Sequence, residues 1–315
     1  MRMTQTANIT RTATMRAPGS CGELAQGMVD GDYFLVSCPI DMHSTATVTL
    51  TPGDGRVDAP PHAPKSRQAV ILTLAHFGRD DVDALLRLSS QLPRGKGMAS
   101  STADVSASIA ATAAALDEQQ DISPQTIASI ALRVEPSDSI MLPGIAVLDH
   151  KRGNIAEILG HPPPMRVVVL DFGGDVDTLA FNGVNRDGIL LEMQPEFEEA
   201  LSLISRGVRK GNAADIGAGA TRSAIANQHL LYKPQLDAVI RLADDAGAVG
   251  VTAAHSGTVL GMLFDDDGAL AENAISRAWE TLFGIRRIYN RRIVGGGVIP
   301  VETCNKPEEA TLWRR

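Results

Sequence analysis

The sequence is poor in aromatic residues and carries no excess of positive charge. Phe, Trp and Tyr make up 4% of its 315 residues, which argues against an aromatic platform on which single-stranded nucleic acids could stack. The formal net charge is −8 and there is no long basic run, so we do not expect a nucleic-acid-binding surface. A nucleotide ligand stays open, because it requires only local positive potential.

Cysteine is also scarce, and no long stretch is strongly apolar. The three cysteines, Cys21, Cys38 and Cys304, are odd in number and form no C-x-x-C pair, so we expect neither a disulfide framework nor a zinc site. The N-terminal residues lack the apolar core of a secretion signal, and no window resembles a membrane span. With 44% hydrophobic residues available for a core, these features predict a cytoplasmic protein with no membrane or nucleic-acid partner.

Strand-like and helical segments are mixed without strict alternation, which predicts an α+β fold. Residues 40–50 alternate between apolar and polar side chains, the pattern of a half-buried strand. Ser123 and Pro124 are typical of the N-cap and first position of a helix, which we expect to end near Val134.

Proline and glycine indicate where regular structure breaks. One proline and three glycines predict a break at Pro18–Gly27, and consecutive prolines at 162–164 predict a linker. We therefore predict two domains, residues 1–160 and residues 165–315. A final strand is predicted at 291–301.

The most informative segment is Pro93–Thr102, PRGKGMASST, which comes directly before a helical pattern. Its glycines let the backbone approach an anion closely, and the helix start offers unpaired N–H groups and the positive end of the helix dipole. Lys96 adds a positive charge, and the hydroxyls of Ser100, Ser101 and Thr102 suit phosphate or Mg²⁺. The segment predicts phosphate binding; the alternatives are an ordinary glycine-rich turn and N-capping by the hydroxyls. It is not a Walker loop, because no G-K-[ST] closes it.

Three separated segments, Pro18–Gly27, Pro93–Thr102 and Gly247–Thr258, together resemble the GHMP small-molecule kinases. The middle motif of that family is P-x-x-x-G-[LM]-G-S-S. For this motif the chain supplies Pro93, Gly97, Met98, Ser100 and Ser101. Ala99 stands where glycine is usual. The resemblance implies a ribosomal S5-like N-terminal domain, a ferredoxin-like α/β C-terminal domain, and a reaction that uses ATP and Mg²⁺.

The first motif resembles one branch of that family. Pro18–Gly27 is similar to the P-G-S-C-G-E-x-x-Q-G signature of the L-threonine kinases of cobalamin synthesis, and Glu135–Asp138 is similar to their E-P-[ST]-D. The resemblance implies phosphorylation of the L-threonine hydroxyl by ATP, with O-phospho-L-threonine feeding the aminopropanol arm of cobalamin biosynthesis. The alternatives are a kinase for another small hydroxylated metabolite, such as homoserine, and a nucleotide-binding homologue without catalysis. Many relatives carry a lysine where this chain has Ser20, so any role of that lysine either passes to Lys96 or is absent.

The resemblance and the needs of phosphoryl transfer imply roles for individual residues. The residues expected to bind the nucleotide are Pro93, Arg94, Gly95, Lys96, Gly97, Met98, Ala99, Ser100, Ser101 and Thr102. Asp138 is expected to accept or orient the substrate proton, with Lys96 as a second catalytic residue. Mg²⁺ is expected to bind Glu135 together with Ser100 or Ser101. The residues expected to contact the substrate are Glu23, Gln26, His43, His255, Ser256 and Gly257.

Structural explanations stay open for several of these residues. Glu135 and Asp138 also suit an ordinary turn or helix cap, and Glu23 and Gln26 suit a solvated loop. His43 lies on the polar face of a strand, where simple exposure explains it equally well. The partners implied are ATP and L-threonine, and a homodimer is left open.

Overall fold

The computed structural model describes residues 10–118, 121–174, 184–266 and 268–301. In these ranges the strands are β1 (Arg11–Val29), β2 (Asp32–Pro52), β3 (Val57–Asp58), β4 (Val82–Ser90), β5 (Ile145–Leu148), β6 (Ala156–Gly160), β7 (Met165–Asp171), β8 (Gly250–Ala253), β9 (Leu260–Asp265), β10 (Arg287–Ile293) and β11 (Ile299–Pro300). The α-helices are α1 (Pro64–His76), α2 (Ser100–Ala115), α3 (Pro124–Val134), α4 (Asp187–Glu192), α5 (Gln194–Lys210), α6 (Ala213–Ala226), α7 (Leu236–Asp245) and α8 (Gly268–Thr281).

The strands of the described ranges form one sheet. Its main path runs β11-β1-β8-β9-β7-β10-β2-β4-β3, the β5–β6 pair joins β2, and β1 also pairs with β2 along its length. Strands from both sides of the predicted domain boundary therefore pair with each other, β1 with β8 and β2 with β10. The prolines at 162–164 lie in the connection between β6 and β7. The division into residues 1–160 and 165–315 stays a prediction.

The expectation that Pro18–Gly27 breaks regular structure is wrong, because the segment lies inside β1. The pairing of β1 with β2 shifts register between Pro18 and Gly19 and on both sides of Glu23. Gly22 has a φ of +59°, a left-handed conformation that glycine adopts without a side-chain clash. Proline and glycine thus produce bulges in a long strand instead of ending it. Most of the segment is buried, so β1 carries polar residues into the interior.

The single strand predicted at 291–301 is also corrected, because the structure has two strands there. β10 ends at Ile293, and β11 pairs separately with β1. Between them Gly297 has a φ of +115°, and a Cβ on Gly296 would lie 2.8 Å from the carbonyl oxygen of Ile140. A side chain has no room at Gly296, and the backbone conformation of Gly297 is one that residues with a side chain rarely adopt.

The helices follow local sequence signals. Ser123 caps α3 by accepting a hydrogen bond from the Thr126 N–H at 3.0 Å, with Pro124 in the first turn. α2 consists mainly of small residues and is buried on nearly all sides against α1, β1 and β2. A separate apolar cluster forms where α7 and α8 pack on β7, β8 and β9. Among the helices of the described ranges, none has the length and apolar character that crossing a bilayer requires.

Candidate active site

The three glycine-rich segments of the sequence meet where β1, the N-terminus of α2 and the turn after β8 come together. The Gly22 N–H donates to the carbonyl of Gly97 at 3.1 Å. From the other side, the Thr258 N–H donates to the carbonyl of Lys96 at 3.0 Å. Backbone hydrogen bonds to both other segments therefore hold Pro93–Thr102 in place.

Glycine is required where these segments touch. Gly97 has a φ of +78°, and a Cβ on it would lie 2.8 Å from the Cα of Gly257. A Cβ on Gly22 would lie 2.5 Å from the backbone nitrogen of Ala254. The glycines of three separate motifs thus allow three backbones to pack directly against each other.

The helix α2 begins without a side-chain cap. Its first N–H groups have no partner within the helix, so they are available to an anion. The alternative that the hydroxyls cap this helix is wrong. The Ser101 hydroxyl donates to Glu135, and the Thr102 hydroxyl donates to Asp138 at 3.0 Å.

The central cavity lies in front of this helix N-terminus. Its lining residues are Glu23, Gly95, Gly97, Ser100, Ser101, Thr102, Glu135, Pro136, Asp138 and Ser256. All of them except Pro136 are residues for which the sequence predicts a role with nucleotide, metal or substrate. The fold therefore brings together candidates from four distant parts of the chain.

The two carboxylates of Glu135 and Asp138 reach the central cavity from the segment after α3. Glu135 is the C-cap residue of that helix and is extended, with a φ of −164°. Its buried carboxylate accepts from Ser101 and forms an ion pair with Lys65. The segment does end a helix, as the structural explanation expected, and it also places both acidic residues on the cavity.

The environment of Asp138 favours its protonated form. Burial is the largest cause and the negative charge of Glu23 the second, and together with Glu135 they raise the pKa of Asp138 to about 7. The hydrogen bond from Thr102 acts in the opposite direction. A carboxyl group with a pKa near neutrality can accept and release a proton at physiological pH, so Asp138 is suited to act as a general base.

The nucleotide-binding and catalytic roles of Lys96 stay predictions. Its ammonium donates to the carbonyl of Gly174, and Lys96 is not among the residues that line the central cavity. Lys65, which the sequence analysis did not identify, lies in the first turn of α1 and pairs with Glu135. A lysine at the start of a helix gives no signal of such a role, because only the packing of α1 beside α2 brings it there.

A second cavity, called the outer cavity here, adjoins the central cavity and shares Gly95, Ser100 and Ser101 with it. Its other lining residues are His62, Ala63, Pro64, Lys65, Ser66, Arg94 and Asp104. Arg94 lies on it, donates to the carbonyl of His62 at 3.1 Å and lies 3.5 Å from the carboxylate of Asp104. Burial raises the pKa of Asp104. The remaining predicted nucleotide residues, Pro93, Met98 and Ala99, line neither cavity, and Met98 and Ala99 are buried in the core.

The predicted substrate residues Glu23, His255, Ser256 and Gly257 come together. The solvated-loop explanation is wrong for Glu23, which is 3% exposed on β1. One of its carboxylate oxygens accepts the backbone N–H of His255 at 2.6 Å and lies 3.3 Å from Nδ1 of the same residue. Ser256 lines the central cavity, and Gly257 packs against Gly97.

Gln26 and His43 lie elsewhere. Gln26 is on β1 and lines a neighbouring cavity together with His255. His43 is half-buried on β2, where its N–H donates to the side chain of Gln91 at 3.0 Å, and it lines neither the central nor the outer cavity. A substrate contact by His43 stays a prediction.

Lys233, which the sequence does not predict as a site residue, contacts the backbone of the turn after β8. Its buried ammonium donates to the carbonyl of Gly257 at 2.6 Å. Burial lowers the pKa of Lys233 to about 8, and the charge of Glu23 acts in the opposite direction. An isolated lysine in a polar turn gives no signal of this contact, which joins residues 24 positions apart.

Comparison with known proteins agrees with this arrangement. Residues 66–143 match the N-terminal domain of GHMP kinases, and residues 197–281 match their C-terminal domain. An L-threonine kinase from Salmonella typhimurium is 34% identical over 281 residues, which cover 85% of this chain and 90% of that protein. An L-threonine kinase from Citrobacter freundii is 33% identical over 256 residues, which cover 80% and 86%.

This chain belongs to the GHMP kinase family.

A solved structure shows the same GHMP kinase fold. A homoserine kinase from Cytophaga hutchinsonii superposes with a TM-score of 0.71 at 16% identity, covering 96% of this chain and 100% of that one. The family resemblance and the α+β fold predicted from the sequence are therefore confirmed.

Both matched GHMP kinase ranges contribute to the central cavity. The N-terminal range carries Pro93–Thr102 and Glu135–Asp138, and the C-terminal range carries Ser256. Ala99 departs from the GHMP kinase motif, and its φ of +55° is the left-handed conformation that glycine adopts without strain. Glu23 lies outside both ranges, on the motif that resembles the L-threonine kinase branch.

Proposed function

We propose that this GHMP kinase transfers the γ-phosphate of ATP to the side-chain hydroxyl of L-threonine. The observation that carries the proposal is the position of Asp138 on the central cavity, beside the uncapped N-terminus of α2. An anion site next to a base suits phosphoryl transfer to a hydroxyl. The two similar L-threonine kinases support L-threonine as the acceptor.

The residues fit a nucleoside triphosphate. Gly97 and Gly95 line the central cavity, and glycine at position 97 lets this backbone pack against Gly257 while it borders the cavity. The uncapped N-terminus of α2 begins at Ser100, and Ser100 and Ser101 line both cavities. In this proposal the nucleotide extends from the central cavity into the outer cavity, which Arg94 and Lys65 line.

The residues also fit Mg²⁺, which prefers hard oxygen ligands and keeps several waters. The carboxylate of Glu135 and the hydroxyl of Ser101 are in contact, and Ser100 lines the same cavity. These residues would hold the ion. When bound there, Mg²⁺ supplies positive charge that offsets the negative charge of the phosphates.

Asp138 acts on the acceptor in this proposal. The threonine hydroxyl oxygen bonds to the γ-phosphorus while its proton passes to the Asp138 carboxylate, and the bond from the γ-phosphorus to the bridging oxygen breaks to release ADP. Thr102 keeps the carboxylate in position, because its hydroxyl donates to Oδ2 at 3.0 Å and accepts from the Asp138 N–H at 3.3 Å. The neighbouring charge of Glu23 favours proton uptake by raising the pKa.

A coupled ADP-release assay with ATP, Mg²⁺ and L-threonine tests the proposal. We expect turnover with L-threonine, and a kcat/KM about tenfold or more above that for L-homoserine, because small changes in a fitted side chain change specificity by that amount. If kcat/KM is higher for L-homoserine than for L-threonine, homoserine is the acceptor and the proposal for L-threonine fails. Absence of ADP release with every hydroxylated metabolite tested would favour a nucleotide-binding homologue without catalysis.

Replacing Glu135 by glutamine is expected to raise the Mg²⁺ concentration that gives half-maximal activity by roughly tenfold, equivalent to about 1.4 kcal/mol of binding free energy. The amide keeps the shape of the side chain and loses its negative charge. A Mg²⁺ titration of the ADP-release rate measures the shift, and Glu157→Gln is the control, since Glu157 is exposed and pairs with Arg209. An unchanged titration in the Glu135 variant would argue against a metal contact.

We also propose a cytoplasmic protein whose product, O-phospho-L-threonine, enters the aminopropanol arm of cobalamin biosynthesis. The similarity of the Pro18–Gly27 motif to the L-threonine kinase branch supports this pathway. Complementation of a bacterial strain that lacks its own L-threonine kinase, under conditions that require cobalamin synthesis, tests it. A homodimer stays a prediction, which light scattering in solution checks.

A further inference from the structure

Three buried polar atoms have no hydrogen-bond partner among the described residues, and their residues all line one cavity beside the central cavity. They are Oε1 of Gln26, Nδ1 of His150 and Oδ1 of Asn227. His150 is 3% exposed and Asn227 is 1% exposed. Buried polar groups are nearly always hydrogen-bonded, so three such atoms around one cavity point to a polar ligand that pairs with them.

The hydrogen bond between two of these side chains determines which groups they offer. The amide nitrogen of Gln26 lies 3.2 Å from Nε2 of His150. The amide donates, so Nε2 accepts and the single ring hydrogen lies on Nδ1. Burial is the main cause that lowers the pKa of His150, to about 3, and the ring is neutral. The residues that line the cavity therefore carry one unpaired donor, His150 Nδ1–H, and two unpaired acceptors, the amide oxygens of Gln26 and Asn227.

The charged side chains of the same cavity are cations. Lys151 and Arg186 line it, and among its described lining residues there is no Asp or Glu. Lys151 holds its ammonium 3.9 Å from the centre of the Tyr33 ring. The nearby carboxylate of Asp149 accepts from the backbone of residues 151, 152 and 154. A carboxylate ligand would meet donors and positive charge, and an ammonium would meet the two amide oxygens.

This cavity shares a wall with the central cavity. His255 lines it, and the backbone N–H of His255 donates to Glu23, which lines the central cavity together with Asp138. Nδ1 of His255 also lies 3.0 Å from the carbonyl of Ala253. The two cavities therefore lie on either side of the Glu23–His255 contact, and a molecule held here by its polar end has to pass this contact to place its other end at Asp138.

We propose that this cavity binds the α-ammonium and α-carboxylate groups of the amino-acid substrate. The oxygens of Gln26 and Asn227 accept hydrogen bonds from the ammonium, and His150 Nδ1–H together with Lys151 binds the carboxylate. The inference rests on the proposed function and deepens it, because it assigns the acceptor to the class of α-amino acids and names the residues that select it.

Two variants test the recognition of the ammonium group and of the carboxylate group of the substrate separately. Asn227→Leu removes an ammonium acceptor, so the preference in kcat/KM for L-threonine over (R)-3-hydroxybutyrate, which lacks the amine, falls at least about tenfold. His150→Phe removes the carboxylate donor, so the preference for L-threonine over (R)-1-amino-2-propanol, which lacks the carboxylate, falls by a similar factor. The KM for ATP changes by less than about twofold in both variants, because neither residue lines the central or outer cavity.

Matched controls are Asn154→Leu and His76→Phe, which change the same residue types at exposed positions on a loop and at the end of α1. Both controls keep the wild-type preferences. Wild-type preferences in both Asn227→Leu and His150→Phe, with L-threonine phosphorylated, would overturn the inference and leave the proposed function standing.

A binding measurement covers the case in which the wild type does not turn over L-threonine, so that the proposed function fails. Calorimetry then measures the binding of L-threonine in the presence of a non-hydrolysable ATP analogue. Affinity for L-threonine that is present in the wild type and lost in both variants supports the inference. No affinity in the wild type, or unchanged affinity in the variants, overturns it. If a variant does not fold, a crystal structure of the wild-type complex replaces it. A substrate carboxylate about 3 Å from His150 Nδ1 supports the inference, and α-groups bound elsewhere overturn it.

Discussion

Replacing Asp138 by asparagine is expected to lower kcat by about three orders of magnitude while the protein stays folded. General bases contribute roughly 10² to 10⁴ in rate, and the amide cannot accept the hydroxyl proton. The amide keeps the size of the carboxyl group and can still accept the hydrogen bond that Thr102 donates. ADP release under saturating ATP and L-threonine measures the effect. The control is Asp58→Asn, on the exposed end of β3.

The pH dependence of the wild type provides an independent check. With a pKa raised to about 7, Asp138 is protonated at low pH and carries no base function there. We expect kcat/KM to rise with pH through about 7 and then level off, since this parameter reports the free enzyme. A flat profile between pH 5.5 and 8.5, or a variant with kcat within tenfold of wild type, would remove Asp138 from the catalytic step.

The same raised pKa predicts a change in stability with the opposite sign to the change in activity. The folded state binds the Asp138 proton more tightly than the unfolded chain, whose carboxyl titrates near 3.8, so the stability contributed by this group is lost as pH rises from about 4 to 7. Asparagine has no such loss. The melting temperature of the variant relative to wild type should therefore be higher at pH 8 than at pH 5, which calorimetry at both values measures.

Short-range signals predict the parts of the site that depend on one segment. Glycines, hydroxyls and a helix start lie next to each other in Pro93–Thr102, which is why the sequence alone predicts a site there, and five of its ten residues line the central cavity. The cap by Ser123 is local in the same sense. Chemistry and structure within about ten residues of chain were thus accessible to sequence reasoning.

Long-range packing explains what sequence reasoning missed. Lys65 reaches Glu135 across 70 positions, and Lys233 reaches Gly257 from a separate turn. His150 is paired with Gln26 over 124 positions. No local pattern marks such residues, because their role depends on the order of strands in the sheet.

Conformations that proline and glycine allow account for the other differences. In Pro18–Gly27 the same residues that usually end a strand instead form bulges, since β2 offers a long continuous partner. In contrast, glycines do separate β10 from β11, because Gly296 faces crowded backbone and Gly297 has a positive φ. Composition alone does not distinguish a bulge within a strand from the end of a strand, because the outcome depends on whether a neighbouring strand continues the pairing.

Replacing Gly257 by alanine is expected to raise the KM for ATP about tenfold or more and to lower the melting temperature. A Cβ at this position would lie 2.5 Å from the backbone nitrogen of Gly97, and it would also overlap the Gly97 Cα and the Lys96 carbonyl. Backbone atoms cannot rotate away as a side chain does, so Pro93–Thr102 must shift, and overpacking of this kind costs about 1–3 kcal/mol. The φ of Gly257 is not in the left-handed range, so the effect isolates the steric contact from backbone strain.

Steady-state kinetics with varied ATP, together with thermal melting, measures both effects of the Gly257 substitution. Gly268→Ala is the matched control, because its Cβ would meet only the Arg166 side chain, at 3.8 Å. The shift caused by Gly257→Ala acts on the loop at the start of α2, so we expect ATP binding to weaken more than L-threonine binding. Unchanged KM for ATP in a correctly folded variant would mean that contact between the two glycine segments does not shape the phosphate site, and the convergence of these segments would lose its functional meaning.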